Sequence, residues 1–170
     1  MSLSPEEKAT NFETYLHIEI VMKLLASAQI ELMRRQFTHD RTKLAPPEVD
    51  IFTQFTPKLK SSTYGSEEYK QMLKEMKPAL NHHYENQRHH PEFFSDGIEG
   101  MNLFDLLEMI CDWSAAVLRH NDGDINKSLE INKERFNISP QLFQVLKNTV
   151  PWIQDEFKNL NSQKDLLPKQ

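Results

Sequence analysis

The chain has 170 residues, 26% charged and 38% hydrophobic, which suits one soluble domain with a real hydrophobic core. Its net charge of −5, with histidine neutral, argues against nucleic acid or an anionic membrane as general partners. A small phosphorylated substrate stays open, because a bound cation would reverse the local field.

The start, Met1-Ser2-Leu3-Ser4-Pro5-Glu6-Glu7, is polar and acidic where a signal peptide would be basic and then apolar. No apolar run approaches the roughly 18 residues that span a bilayer. Ser4-Pro5-Glu6-Glu7 predicts a helix start, with a hydroxyl cap, proline at the first position and acids at the positive end of the dipole. Phe12, Leu16, Ile20, Leu24 and Ala28 then recur at near-helical spacing, which predicts a helix to about Arg35. His17 lies on that stripe, beside Ile20, Val21 and Leu24.

Phe37-Thr38-His39-Asp40-Arg41-Thr42-Lys43-Leu44 follows, and Pro46-Pro47-Glu48 restarts a short helix through Val49, Phe52 and Phe55. Lys60 to Gly65 reads as a loop, and Ser66-Glu67-Glu68 caps a helix containing Tyr69, Met72, Leu73 and Met76. Pro78 is expected to kink or break it before the block Asn81-His82-His83-Tyr84-Glu85-Asn86-Gln87-Arg88-His89-His90. Phe93 to Gly97 reads as a second loop. Asn102 to His120 looks like a helix buried around most of its circumference, with Cys111, the single cysteine, inside it as an inert buried thiol. One cysteine allows no internal disulfide and fits a reducing, cytoplasmic setting.

After Asn121-Asp122-Gly123-Asp124 come a helix from about Ile125 to Phe136 and a last one near Gln141 to Phe157, which Pro151 should bend or divide. The expectation is an all-α single domain over residues 1–162, a bundle of about six to eight helices, with a frayed tail over 163–170.

The chemistry concentrates in histidines and carboxylates. A neutral imidazole and a carboxylate adjacent in the chain, as in His39-Asp40, can bind one divalent cation where the backbone turns both inward. Four of the chain's 7 histidines fall in the block. His82 and His89 are seven residues apart, as are His83 and His90, so each pair can project from one side of a helix. Asp112, flanked by Ile110, Cys111 and Trp113, needs a cation or a strong donor network if it is buried. The plainer alternatives are an ion pair for Asp112, a hydrogen-bonded core histidine for His17 and a solvated helix face for part of the block. Asp105 reads as structural, set to favour the dipole of its helix.

The order His17, His39-Asp40, histidine block and Asp112 on a helical chain resembles the HD-domain superfamily of metal-dependent phosphohydrolases. Thr42 stands where that superfamily's His-Asp-x-Gly-Lys segment commonly has glycine. In closer detail the chain is similar to a phage and bacterial domain family of undefined function. The segments that carry this likeness are His39 to Leu44, Pro46-Pro47-Glu48, His82-His83, His89-His90, Asp112-Trp113-Ser114-Ala115-Ala116 and Glu130-Ile131-Asn132-Lys133.

The resemblance implies an HD-like fold with a primary metal site of His17, His39, Asp40 and Asp112. His83, with His82, His89 or His90, would hold a second metal or touch the substrate. It implies one or two divalent ions per chain (manganese, iron, cobalt, zinc or magnesium), and the histidine-rich set leans away from magnesium. Asp40 would hold the attacking water, while Lys43 and Arg88, and less so Arg41 and Arg119, would meet the phosphate. The expected activity is hydrolysis of a nucleotide or another small phosphate ester. The alternatives are a metal-stabilised helical binding or regulatory module without catalysis, and an HD-type di-iron oxygenase.

Overall fold

In the computed structural model the described residues, 3–62, 66–117 and 123–164, form seven α-helices joined by loops and three short 3₁₀ turns, with no strand among them. The all-α expectation is met. Contacts within the chain group it into two units, residues 1–39 and residues 40–170.

The first unit is one helix, α1 (Pro5–Thr38), which runs past its expected end near Arg35. Its start is a reciprocal cap: the Glu7 N–H donates to Ser4 Oγ at 3.2 Å and the Ser4 N–H donates to Glu7 Oε2 at 2.6 Å. Ion pairs one turn apart, Lys23–Glu19 at 2.8 Å and Arg35–Glu31 at 2.9 Å, support its length. The apolar stripe is present, but α1 has no buried residue, and Phe12, Leu16, Ile20 and Leu24 are exposed.

The second unit opens at Asp40, whose φ of 57° reverses the chain before a 3₁₀ turn over Arg41–Leu44. Helix α2 (Glu48–Ser61) begins where Pro46-Pro47 predicts, and extends into the segment expected to be a loop. Residues 63–65 of that loop lie outside the described residues. In α3 (Glu67–Glu75) the Ser66 hydroxyl accepts from the Tyr69 N–H at 3.1 Å. The chain breaks at Met76, and Pro78 stands in the first turn of α4 (Lys77–Asn86), where its missing N–H costs nothing. Phe55, Met72 and Met76 form a small core among α2, α3 and α4, with Ile51, Phe52, Leu59 and Leu80 against it.

The larger core joins α5 (Leu103–Val117), α6 (Ile125–Arg135) and α7 (Pro140–Lys164). Met109, Ile110, Leu129, Leu146 and Val150 lie at its centre, and Trp113 stacks on Phe136 with ring centroids 5.9 Å apart. Helix α5 buries one face rather than most of its circumference: Asp105, Met109, Ile110, Trp113 and Ser114. Leu103 is 80% exposed, and Cys111 is exposed too, against the expectation of a buried thiol. Partial loss of hydration at that thiol, then the carboxylates of Glu108 and Asp112, push its pKa up. Helix α7 runs unbroken through Pro151, because neighbouring apolar residues Val150 and Ile153 anchor both sides of the proline in the core. Residues 118–122 and 165–170, with Arg119 and most of the expected tail, lie outside the described residues. No helix among the described residues is long and apolar enough to cross a membrane.

Leu129 is 1% exposed at the centre of the larger core, whereas Leu103 opens α5 in solvent. Leu129→Ala should lower unfolding free energy by about 2–5 kcal/mol, and Leu103→Ala by no more than about 0.5 kcal/mol. Urea denaturation of the two variants checks this.

Candidate metal centre

A site in the second unit is built from four short stretches: the turn at Asp40–Leu44, the first residue of α2, the end of α4 and the loop that follows it. Aspartate tolerates the left-handed backbone at Asp40 better than most residues, at a cost of about 1–2 kcal/mol. That turn leaves Asp40 Oδ2 to accept from Lys43 Nζ at 2.6 Å. Oδ1 lies 3.1 Å from His83 Nε2 and 3.6 Å from His89 Nε2.

Helix α4 ends at Asn86, so the seven-residue pairing of the histidines is not a helical one. After Gln87 the chain turns, with the His90 N–H donating to the Gln87 carbonyl at 3.2 Å, and Pro91 starts a 3₁₀ turn over Pro91–Phe93. This reversal folds His89 and His90 back on His83. The His83 and His90 rings come to 4.9 Å and the His89 and His90 rings to 4.2 Å between centroids. One ligand atom from each of Asp40, His83, His89 and His90 lies within 4.8 Å of the others.

The electrostatics of the cluster favour a cation. His83 is 1% exposed and His89 is fully buried. Nε2 of His83 and Nε2 of His90 are buried and make no hydrogen bond among the described residues. Asp40 Oδ1 lies 3.1 Å from His83 Nε2, yet that nitrogen makes no hydrogen bond among the described residues. Burial first, then the neighbouring His89 and His83, push the His90 pKa down to about 3. A neutral imidazole with an available lone pair is the ligand form of histidine.

Behind the cluster stand carboxylates. Glu48, fully buried, places Oε1 2.7 Å from His82 Nδ1 and Oε2 3.0 Å from His83 Nδ1. Thr42 Oγ1 lies 3.1 Å from the same His83 nitrogen and accepts from Gln87 Nε2 at 3.3 Å. Glu108 Oε1 lies 3.2 Å from His89 Nδ1.

Asp40, His83, His89 and His90 are therefore brought together, with Lys43 at their edge. His82 is not: its ring is directed to Glu48, in no ligand group among the described residues. Asp112 is half-buried on α5, close enough for its charge to raise the pKa of Tyr84 and to oppose the lowering at His90. His17 is exposed on α1 and His39 caps its end, so both belong to the first unit.

Arg88 corrects an expectation. Its Nε and Nη2 donate to the two oxygens of fully buried Asp105 at 3.1 and 3.0 Å, and its guanidinium lies over Phe93 and Phe94. Asp105 also accepts from the Asn102 N–H at 2.9 Å, so Arg88 is a clamp at the start of α5 rather than a phosphate contact. Asp105 is structural, as its position in the first turn implies.

Glu48, Glu108 and Thr42 carry no functional assignment from the sequence alone. Glu48 carried a weak signal, a carboxylate set at a helix start by Pro46-Pro47 inside a recognised motif. No periodicity announces that it is buried.

In a comparison with known proteins, residues 6–151 match the model of a family described as "Family of unknown function (DUF5662)". No curated protein and no solved structure matches the chain.

The depressed pKa of His90 fixes a pH dependence. The unfolded chain, with an ordinary histidine pKa near 6.5, takes up the proton before the folded one does. The stability contributed by neutral His90 is fully present above about 6.5 and is lost as pH falls toward about 3. The urea midpoint of the metal-free protein should fall across that window, and it should fall less for His90→Gln.

Proposed function

The chain belongs to DUF5662, a family of unknown function, and we propose that it is a metal-dependent phosphohydrolase acting on a nucleotide or another small phosphate ester. One observation carries the reading: a carboxylate and three imidazoles converge in the second unit, two of the imidazoles presenting buried nitrogens without hydrogen bonds among the described residues. The resemblance to HD-type phosphohydrolases through His39-Asp40, the histidine block and Asp112 supports the reaction class.

Asp40, His83, His89 and His90 would hold the ion. Three imidazoles and one carboxylate suit zinc, iron, cobalt or manganese better than magnesium, and the site would take one or two ions per chain. Such a cation, when bound, supplies Lewis-acid polarisation of a phosphoryl oxygen and a water acidified towards neutral pH. The residues supply the rest. Asp40 keeps one oxygen towards the cluster and one on Lys43, so it is placed to orient an attacking water and accept its proton. Lys43 Nζ sits at the edge of the cluster, where a positive charge neutralises the oxygen that gains charge on the transferred group. Burial of His83 and His89 keeps competing water from the imidazoles. The acidic net charge and the single cysteine fit a small cytoplasmic substrate over a nucleic acid or a membrane.

A second reading has an observation of its own. Two of the imidazoles are almost wholly enclosed, as in closed sites that hold a metal for stability alone. The non-enzymatic module predicts a metal that raises the melting temperature and turns over nothing.

Loaded with manganese, cobalt or zinc, the purified protein should hydrolyse at least one member of a panel of nucleotides and simple phosphate esters. Asp40→Asn and His83→Ala should each lower kcat by at least about 100-fold. Metal-loaded protein that is inert across the panel would favour the structural module.

A further inference from the structure

Glu48 is the least accommodating group in the second unit: a carboxylate with no exposed surface, at the start of α2, with no lysine or arginine paired to it among the contacts described. A buried carboxylate costs several kcal/mol unless its oxygens are satisfied. Here both are, among the described residues by imidazoles, His82 Nδ1 on Oε1 and His83 Nδ1 on Oε2.

The pairing sets the state of His83. An ionised carboxylate only accepts, so a nitrogen held 3.0 Å from it carries the proton. The Thr42 hydroxyl, 3.1 Å from the same nitrogen, can accept or donate and therefore adapts to the carboxylate. With Nδ1 protonated, the other nitrogen of a neutral imidazole presents a lone pair. That nitrogen, Nε2, lies 3.1 Å from Asp40 Oδ1 and makes no hydrogen bond among the described residues, and His83 shares one ligand group with Asp40, His89 and His90. The ring is also packed edge-on against Phe52 at 6.2 Å and tilted against Tyr84 at 6.3 Å, which resists a flip. His82 occupies the second oxygen and is half-exposed, so it completes Glu48 without joining the cluster.

We propose that Glu48 is a positioning residue for the metal centre: it locks His83 as the Nδ1–H tautomer and aims the Nε2 lone pair at the cation site. Its effect passes entirely through His83. The metal-affinity part of this inference rests on the metal-centre reading above, while the tautomer part does not.

The experiment has two arms. The first is a nitrogen-15 histidine spectrum of the metal-free wild-type protein, which reports the protonated nitrogen of His83 directly. The expected result is a proton on Nδ1, and a proton on Nε2 overturns the proposal whether or not metal binds. The second is zinc binding by competition titration to wild type, Glu48→Gln and the apolar Glu48→Met. Loss of a carboxylate behind a ligating histidine should weaken zinc roughly 10–100-fold in Glu48→Met. Glu48→Gln, which keeps one acceptor oxygen, should lose less. A cobalt-loaded Glu48→Met protein should also show a displaced visible absorption band, which a loss of packing alone would not produce. Equal zinc affinity in wild type and both variants sinks the proposal. Wild type that binds no zinc, manganese or cobalt while keeping the Nδ1–H tautomer upholds the positioning of His83 and instead removes the metal-centre reading.

Discussion

Burying imidazole and carboxylate side chains together is costly unless each lone pair and each proton finds a counterpart, and that constraint organises the second unit of this protein. Asp40, His83, His89 and His90 meet where the turn after α1, the end of α4 and the following loop converge. Lys43 satisfies the outer oxygen of Asp40, and Glu48 the outer nitrogen of His83. Their inner atoms face one another, and Nε2 of His83 and of His90 make no hydrogen bond among the described residues. A packed hydrophobic core would have no reason to retain such an arrangement, whereas a cation would resolve it.

The scaffold serves that convergence through unlike devices. The left-handed Asp40 turns the chain so that its carboxylate meets the end of α4. The loop of Gln87 to His90 reverses the chain immediately after α4 and is held there by the Arg88–Asp105 clamp. Arg88 thus acts through position, by tying the loop that carries His89 and His90 to the first turn of α5. The two apolar cores lie on either side of this polar seam in the chain, one formed by α2 to α4 and the other by α5 to α7.

Much of this was legible in the sequence where the signal is local. Ser4 and Ser66 cap helices because a short polar side chain reaches the free N–H groups of the next turn, and such caps are read from neighbours alone. The histidine block marked the site for the same reason, since four imidazoles in nine residues are visible without a fold. What sequence could not supply was tertiary. His82 and His83 are adjacent and chemically identical, yet the His82 ring is directed to Glu48 while the His83 ring contacts Glu48 and also enters the cluster. The buried face of α5 is narrower than its apolar composition suggests: Leu103 and Cys111 are exposed. Arg88 reads from sequence as a phosphate contact because Asp105, the carboxylate it pairs with, lies seventeen residues further along the chain.

The account stands on a cation at the meeting point of Asp40, His83, His89 and His90. Crystals of the protein grown with manganese or zinc, measured at the absorption edge of that metal, test this directly. The account predicts an anomalous peak within bonding distance of Asp40 Oδ1 and the Nε2 atoms of His83 and His89. Well-ordered crystals with no peak there, or with metal only at surface residues such as His82, would contradict it.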